Sequence, residues 1–133
     1  MLSKIDHLGI AVNDLEEGIR VYEQGLGLEV THRETLEDQG VVTVSLGIGE
    51  STVELLSPTR DDSPVAKFLE QRGPGIHHVA YAVPDIEAAL EDARDAGFRL
   101  IDEAPRVGAG GKKIAFIHPK STLGVLSEVV QST

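Results

Sequence analysis

Cysteine and tryptophan are both absent from this sequence of 133 residues. The absence of cysteine excludes disulfide bonds and thiolate metal ligands, and it is compatible with a reducing compartment. No uncharged apolar run approaches the ~20 residues that a membrane span needs. Charges at Lys4 and Asp6 interrupt the first apolar residues, unlike the start of a signal peptide. We therefore expect a soluble cytoplasmic protein that does not contact a membrane.

Basic residues are also scarce. The 12 Lys and Arg residues are outnumbered by 22 Asp and Glu, which gives a formal net charge of −10. Because phosphate binding needs clustered basic side chains, we expect no nucleic acid partner. Segment 104–127 is different, since its charged residues are all basic. This segment could attract an anionic small molecule or be a solvated basic turn, and the two alternatives are evenly balanced.

The chain contains two copies of one module. Residues 5–16 and 76–87 share the same order of residue types, and His78 lies 71 positions after His7. Each copy opens with the alternating pattern of a strand. An N-cap aspartate and a helical apolar pattern follow, and the helix ends at glycine. Each module is predicted to be β-α-β-β-β.

We predict a single domain made of these modules. Module one spans residues 1–57, a connecting helix lies in 58–74, and module two spans residues 75–133. A chain of this length buries roughly two-thirds of its unfolded surface, which is enough for one stable core. In module two the strands are predicted at residues 76–83, 98–101, 113–118 and 124–130.

The histidines of the two opening strands face small residues. Side chains alternate across a strand, so His7 and His78 each share a face with residues that leave space for a ligand. These small residues are Gly9, Ala11, Ala80 and Ala82. His77 falls on the opposite, larger apolar face, and we interpret it as structural.

Two glutamates are each the lone charge in an apolar strand. Glu54 lies in segment 52–56 and Glu128 in segment 125–130, at matching places in the repeat. A single such glutamate could be an outward-facing edge residue, but a buried carboxylate is costly unless it is paired or metal-bound. With the two matching histidines they form an N₂O₂ set suited to one divalent ion, such as Co²⁺, Mn²⁺, Ni²⁺ or Zn²⁺. The predicted ligands are His7, Glu54, His78 and Glu128.

The doubled module and the His–Glu–His–Glu order resemble the vicinal oxygen chelate superfamily, which includes glyoxalase I, extradiol dioxygenases and bleomycin resistance proteins. Nearly the whole chain looks like the methylmalonyl-CoA epimerase family. The segments that carry this resemblance are 5–12, 38–41, 62–69, 75–78, 108–112, 118–120 and 124–126. The resemblance implies an α+β fold, with two tandem βαβββ modules forming a curled eight-stranded mixed sheet around one metal site.

The same resemblance implies epimerisation at the carbon between the thioester and the carboxylate of methylmalonyl-CoA. A divalent ion would stabilise the developing enolate, and general bases would move the proton. Glu128 would be one base as well as a ligand. Some epimerases place a second glutamate base at the position of Thr43. We align Ala115 as the repeat partner of Thr43, so neither copy has a carboxylate there. We therefore predict Glu54 as the second base. The residues predicted to bind the acyl-CoA substrate are Gln39, Lys112 and Lys120.

The sequence leaves three related functions open. Glyoxalase I would share the ligand set and the proton-transfer chemistry, with a glutathione hemithioacetal as substrate. An extradiol dioxygenase would use Fe(II) and three ligands, which leaves Glu54 unexplained. A bleomycin-type binding protein would need no metal, so two buried glutamates would be costly there. We also expect a homodimer, the commonest state of soluble oligomers.

Overall fold

The structure is a computed structural model that describes residues 1–132. Within these residues the strands are β1 Lys4–Ala11, β2 Glu29–Leu36, β3 Val41–Ile48, β4 Ser51–Pro58, β5 Gly75–Val83, β6 Arg106–Val107, β7 Lys113–Ile117 and β8 Ser127–Gln131. The α-helices are α1 Leu15–Ile19, which continues as a π-helical segment Arg20–Gly25, α2 Pro64–Arg72 and α3 Ile86–Asp95. Short 3₁₀ turns lie at Ala109–Gly111 and Pro119–Thr122. Over the described range, no helix has the length and apolar character needed to cross a membrane.

The strands of residues 1–132 form one eight-stranded mixed sheet in the order β2-β3-β4-β1-β5-β8-β7-β6. The pairs β1–β4 and β5–β8 are parallel. The pairs β2–β3, β3–β4, β6–β7 and β7–β8 are antiparallel. The predicted α+β class and mixed sheet are confirmed.

The chain divides into two compact units. One unit is His7–His77, and the other joins Met1–Asp6 to the chain from His78 onward. Strands β1 and β5 therefore each contribute to both units, and the division falls beside the two predicted histidine ligands. The single domain with modules 1–57 and 75–133 stays a prediction.

In the unit His7–His77, the faces of the sheet pack against different helices. Asp14 caps α1 by accepting hydrogen bonds from the amides of the first turn, and Leu15 then packs against β3 and β4. Ser63 caps α2 by accepting from Val65 N, with Pro64 as the first helical residue. The cluster under α1 comprises Leu15, Val44, Leu46, Val53 and Leu55. The cluster under α2 comprises Ala11, Val41, Leu56 and Val65.

The turn between β2 and β3 requires glycine at its last residue. Gly40 has a φ of +67°, a backbone angle that residues other than glycine rarely adopt. A Cβ at this position would lie 3.0 Å from Cζ of Arg60. Arg60 donates hydrogen bonds to the carbonyls of Glu37 and Asp38 and so closes the turn from outside. This turn holds Gln39.

In the other unit, α3 packs on β7 and β8. Asp85 caps the helix by accepting from the amides of Glu87 and Ala88. The side chain of Gln131 at the end of β8 accepts from Ile86 N at 3.0 Å, which ties the start of α3 to the sheet. The core here comprises Val83, Ile86, Ala89, Leu90, Ala93, Leu100, Ala115, Ile117 and Val129.

The predicted strand at residues 98–101 is wrong. Only Leu100 of this segment makes a bridge, which is to Ile117. The carboxylate of Asp102 accepts a hydrogen bond from Phe116 N at 2.8 Å and takes the place of a strand carbonyl. Regular pairing therefore stops, and the strand that pairs with the outer side of β7 is Arg106–Val107.

The last strand begins later than predicted. Leu123 has a left-handed backbone and Gly124 has a φ of +94°. Both conformations are incompatible with a strand. The expected strand at 124–130 accordingly forms as Ser127–Gln131.

Candidate metal centre

His7 and Glu54 lie on neighbouring parallel strands. The register of β1 and β4 sets Glu54 opposite Gly9, two residues beyond His7 on the same strand face. Nε2 of His7 lies 3.8 Å from Oε1 of Glu54, and the two side chains are only 9% and 10% exposed. The backbone hydrogen bonds between β1 and β4 therefore set the positions of both side chains in this buried pair.

His78 and Glu128 repeat this arrangement in the other unit. The register of β5 and β8 sets Glu128 opposite Ala80, again two residues beyond the histidine. Nε2 of His78 lies 3.9 Å from Oε1 of Glu128, and both side chains are 5% exposed. The same strand register thus recurs, although His78 and Glu128 are three residues further apart in sequence than His7 and Glu54.

The donors and separations fit a divalent ion. Separations of 3.8 and 3.9 Å are too long for a hydrogen bond. They are shorter than about 4.3 Å, the greatest separation of a nitrogen donor ~2.1 Å and an oxygen donor ~2.2 Å from one ion. Imidazole and carboxylate together suit a transition ion of this charge.

His77 has different surroundings from its neighbour His78. Its ring packs edge-on to Phe68 of α2, with the centroids 5.0 Å apart and the planes at 75°. Arg72 lies over the same Phe68 ring. Burial, and secondly the positive charge of Arg72, lower the pKa of His77. A neutral packing role against α2 accounts for these contacts.

The residue that faces each glutamate across the sheet differs between the units. Ser45 of β3 pairs with Glu54, whereas Phe116 of β7 pairs with Glu128. The ring of Phe116 lies edge-on to His78, with centroids 5.4 Å apart and planes at 85°. Phe116 was not among the predicted site residues, because its place opposite Glu128 follows from strand register and no sequence motif marks it.

The alignment of Thr43 with Ala115 is wrong by one residue. Thr43 pairs with Leu56, two residues beyond Glu54. The equivalent pair in the other unit is Ile114 with Val130. Thr43 thus corresponds to Ile114, and neither residue supplies a carboxylate.

The predicted substrate-binding residues lie on turns. Gln39 is half-buried in the turn before β3. Nζ of Lys112 lies 3.9 Å from Oδ1 of Asp6, and the Lys112 side chain is 44% exposed. Lys120 lies in the 3₁₀ turn Pro119–Thr122, and its amide donates to Nδ1 of His118 at 3.0 Å. Lys112 and Lys120 belong to one unit and Gln39 to the other.

Most of the chain matches a known protein superfamily. The glyoxalase/bleomycin resistance protein/dioxygenase superfamily matches residues 6–116. The chain belongs to this superfamily.

Its relatives narrow the family further. The ethylmalonyl-CoA/methylmalonyl-CoA epimerase of Cereibacter sphaeroides is 39% identical, and the match covers 98% of this chain and 99% of that protein. The mitochondrial methylmalonyl-CoA epimerase of Homo sapiens is 38% identical, over 98% of this chain and 75% of that protein. A solved methylmalonyl-CoA epimerase in complex with methylmalonyl-CoA and NH₄⁺ is 43% identical with a TM-score of 0.96, covering 100% of this chain and 96% of the solved one. The predicted resemblance is confirmed, and the chain is an isomerase of this epimerase family.

Proposed function

We propose that this protein interconverts the 2R and 2S epimers of methylmalonyl-CoA by metal-dependent proton transfer at the α-carbon. The observation that carries the proposal is the pair of buried His–Glu couples in the same strand register. They occur in a chain about 40% identical to epimerases over nearly its whole length.

His7, Glu54, His78 and Glu128 would hold one divalent ion. Their donor set is compatible with Co²⁺, Mn²⁺, Ni²⁺ or Zn²⁺. When bound, the ion would act as a Lewis acid on the thioester and carboxylate oxygens and make the α-proton more acidic.

Glu128 and Glu54 would move the proton. Epimerisation needs a proton acceptor on one face of the α-carbon and a proton donor on the other. Thr43 cannot be the second acceptor, because its hydroxyl stays protonated at neutral pH and donates to the carbonyl of Glu34. The two glutamates are related by the repeat and are 8% and 4% exposed, so the strands hold both carboxylates away from bulk water.

Lys112 and Lys120 would attract the phosphates or the carboxylate of the acyl-CoA, and Gln39 would contact the substrate. The basic segment 104–127 stands out against a chain of net charge −10, so an anion would be drawn toward it. The homodimer and the cytoplasmic location stay predictions.

A coupled assay tests the proposed function. Protein loaded with Co²⁺ should epimerise methylmalonyl-CoA, as followed with an enzyme specific for one epimer. Removing the metal with a chelator should abolish the activity, and adding Co²⁺ should restore it. Full activity after chelation would contradict metal dependence.

The same preparation tests glyoxalase I, the alternative that would share the predicted ligand set and the proton-transfer chemistry. Methylglyoxal with glutathione should give no thioester product. Turnover of this mixture, with methylmalonyl-CoA left unchanged, would replace the epimerase proposal by the glyoxalase one.

A further inference from the structure

We infer that Phe116, held by Arg106 and Asp102, is a positioning residue that fixes the ring of His78 for metal binding. This inference rests on the proposed metal centre, and it concerns residues outside the four predicted ligands. Residues that pack against a metal-binding side chain contribute to the affinity for the metal. They hold the side chain in one orientation before binding, so less conformational entropy is lost when the metal binds.

The contact with His78 is a defined aromatic one. The rings of Phe116 and His78 meet edge to face, at 85° and a centroid distance of 5.4 Å, which is a favoured geometry for aromatic pairs. Phe116 also packs against the buried cluster of Ala80, Ile114 and Val130. A histidine ring that turned about its side-chain bonds would lose the contact with Phe116, so this contact favours one orientation of the ligand.

Phe116 is itself held by Asp102 and Arg106. Oδ2 of Asp102 accepts from Phe116 N at 2.8 Å, and Oδ1 lies 3.2 Å from Nε of Arg106. The guanidinium of Arg106 stands over the Phe116 ring, with Cζ 5.5 Å from the centroid. One carboxylate thus fixes both the backbone of Phe116 and the cation that covers its ring.

The first half of the repeat has a small residue at the equivalent position. The residue that pairs with Glu54 is Ser45, whose side chain is too small to pack against a ring as Phe116 does. Positioning by an aromatic ring is therefore a property of the His78 half. Changes at Phe116 should weaken the ligation by His78 and leave the His7–Glu54 pair intact.

The test is titration of metal-free protein with Co²⁺ alone, by calorimetry and by the visible spectrum of bound Co²⁺. Phe116→Leu should raise the Kd for Co²⁺ by roughly 2- to 10-fold, the size expected for the loss of one aromatic pair contact. It should also change the Co²⁺ spectrum. Arg106→Gln should raise the Kd by a smaller factor, and Phe116→Tyr, which keeps the ring, should restore wild-type affinity.

Arg94→Gln is the matched control. Arg94 pairs with Glu103 in the same unit, and its side chain is 44% exposed, close to the 41% of Arg106. A loss of surface ion pairing alone would affect both variants equally. The control should bind Co²⁺ as the wild type does.

Wild-type Co²⁺ affinity and spectrum in Phe116→Leu would overturn the inference and leave the metal centre standing. If Phe116→Leu does not fold, the Co²⁺ affinities of Arg106→Gln and Asp102→Asn test the inference instead. Wild-type affinity in both variants would overturn the positioning role of Phe116. Failure of the wild-type protein to bind Co²⁺ would instead overturn the proposed metal centre, and the positioning role with it.

Discussion

Nε2 of His7 lies 3.8 Å from Oε1 of Glu54, on two parallel strands whose hydrogen bonds set that distance. A shift of one residue in the β1–β4 register would turn Glu54 to the opposite face of the sheet. Donor groups on regular strands are therefore placed before any ligand arrives, which reduces the ordering cost of binding.

The first prediction concerns the histidine ligands. His7→Ala or His78→Ala should abolish stoichiometric binding of a divalent ion, since each removes one donor from a buried set. Metal content after dialysis measures the effect, and circular dichroism checks that the variants are folded. His77→Ala is the control and should keep its metal, because the His77 ring packs on Phe68. Loss of metal in the control, with retention in His78→Ala, would refute the assignment.

The second prediction separates ligand from base at Glu54. Glu54→Gln keeps an oxygen donor but cannot accept the proton at neutral pH. The variant should retain metal and still exchange the α-proton of one epimer with deuterated solvent, while epimerisation falls by at least about 100-fold. Mass spectrometry of each epimer follows the exchange. Wild-type epimerisation would show that Glu54 is a ligand only.

The third prediction concerns the basic segment. Lys112→Ala and Lys120→Ala should raise KM for methylmalonyl-CoA at low ionic strength, because each removes a charge that attracts the anionic substrate. The effect should shrink as salt shortens the Debye length from about 30 Å at 0.01 M to about 8 Å at 0.15 M. Lys67→Ala, at an exposed position on α2, is the control and should leave KM unchanged. Unaltered KM in both test variants at low salt would exclude this role.

The fourth prediction is a pH dependence of stability from His77. Burial and Arg72 lower its pKa below the ordinary 6.5, so the folded protein binds this proton less readily than the unfolded chain. The contribution of the neutral ring is fully present above about pH 6.5 and is lost as the pH falls from there through the lowered pKa. Urea midpoints of metal-free protein should therefore decline over this range less steeply in His77→Gln than in the wild type. Identical slopes in His77→Gln and the wild type would contradict the prediction.

The sequence by itself determined the repeat and most element positions, and the resemblance to the epimerase family implied the mixed sheet. Asp14, Ser63 and Asp85 mark the starts of helices through local hydrogen bonds within one turn. The matching positions of histidines and glutamates in the two copies also indicated which residues to test as ligands. These signals are local or repeated, so they can be read from the order of residues.

Only the tertiary structure decided which side chains face one another across strands. It set Ser45 opposite Glu54 and Phe116 opposite Glu128, and it showed that Thr43 corresponds to Ile114. It also replaced the expected strand at 98–101 by a segment in which Asp102 bonds to the backbone of Phe116. Such neighbours depend on pairing between distant segments, and a shift of one residue in register changes every one of them. No local pattern encodes that choice, because the whole packed sheet determines it.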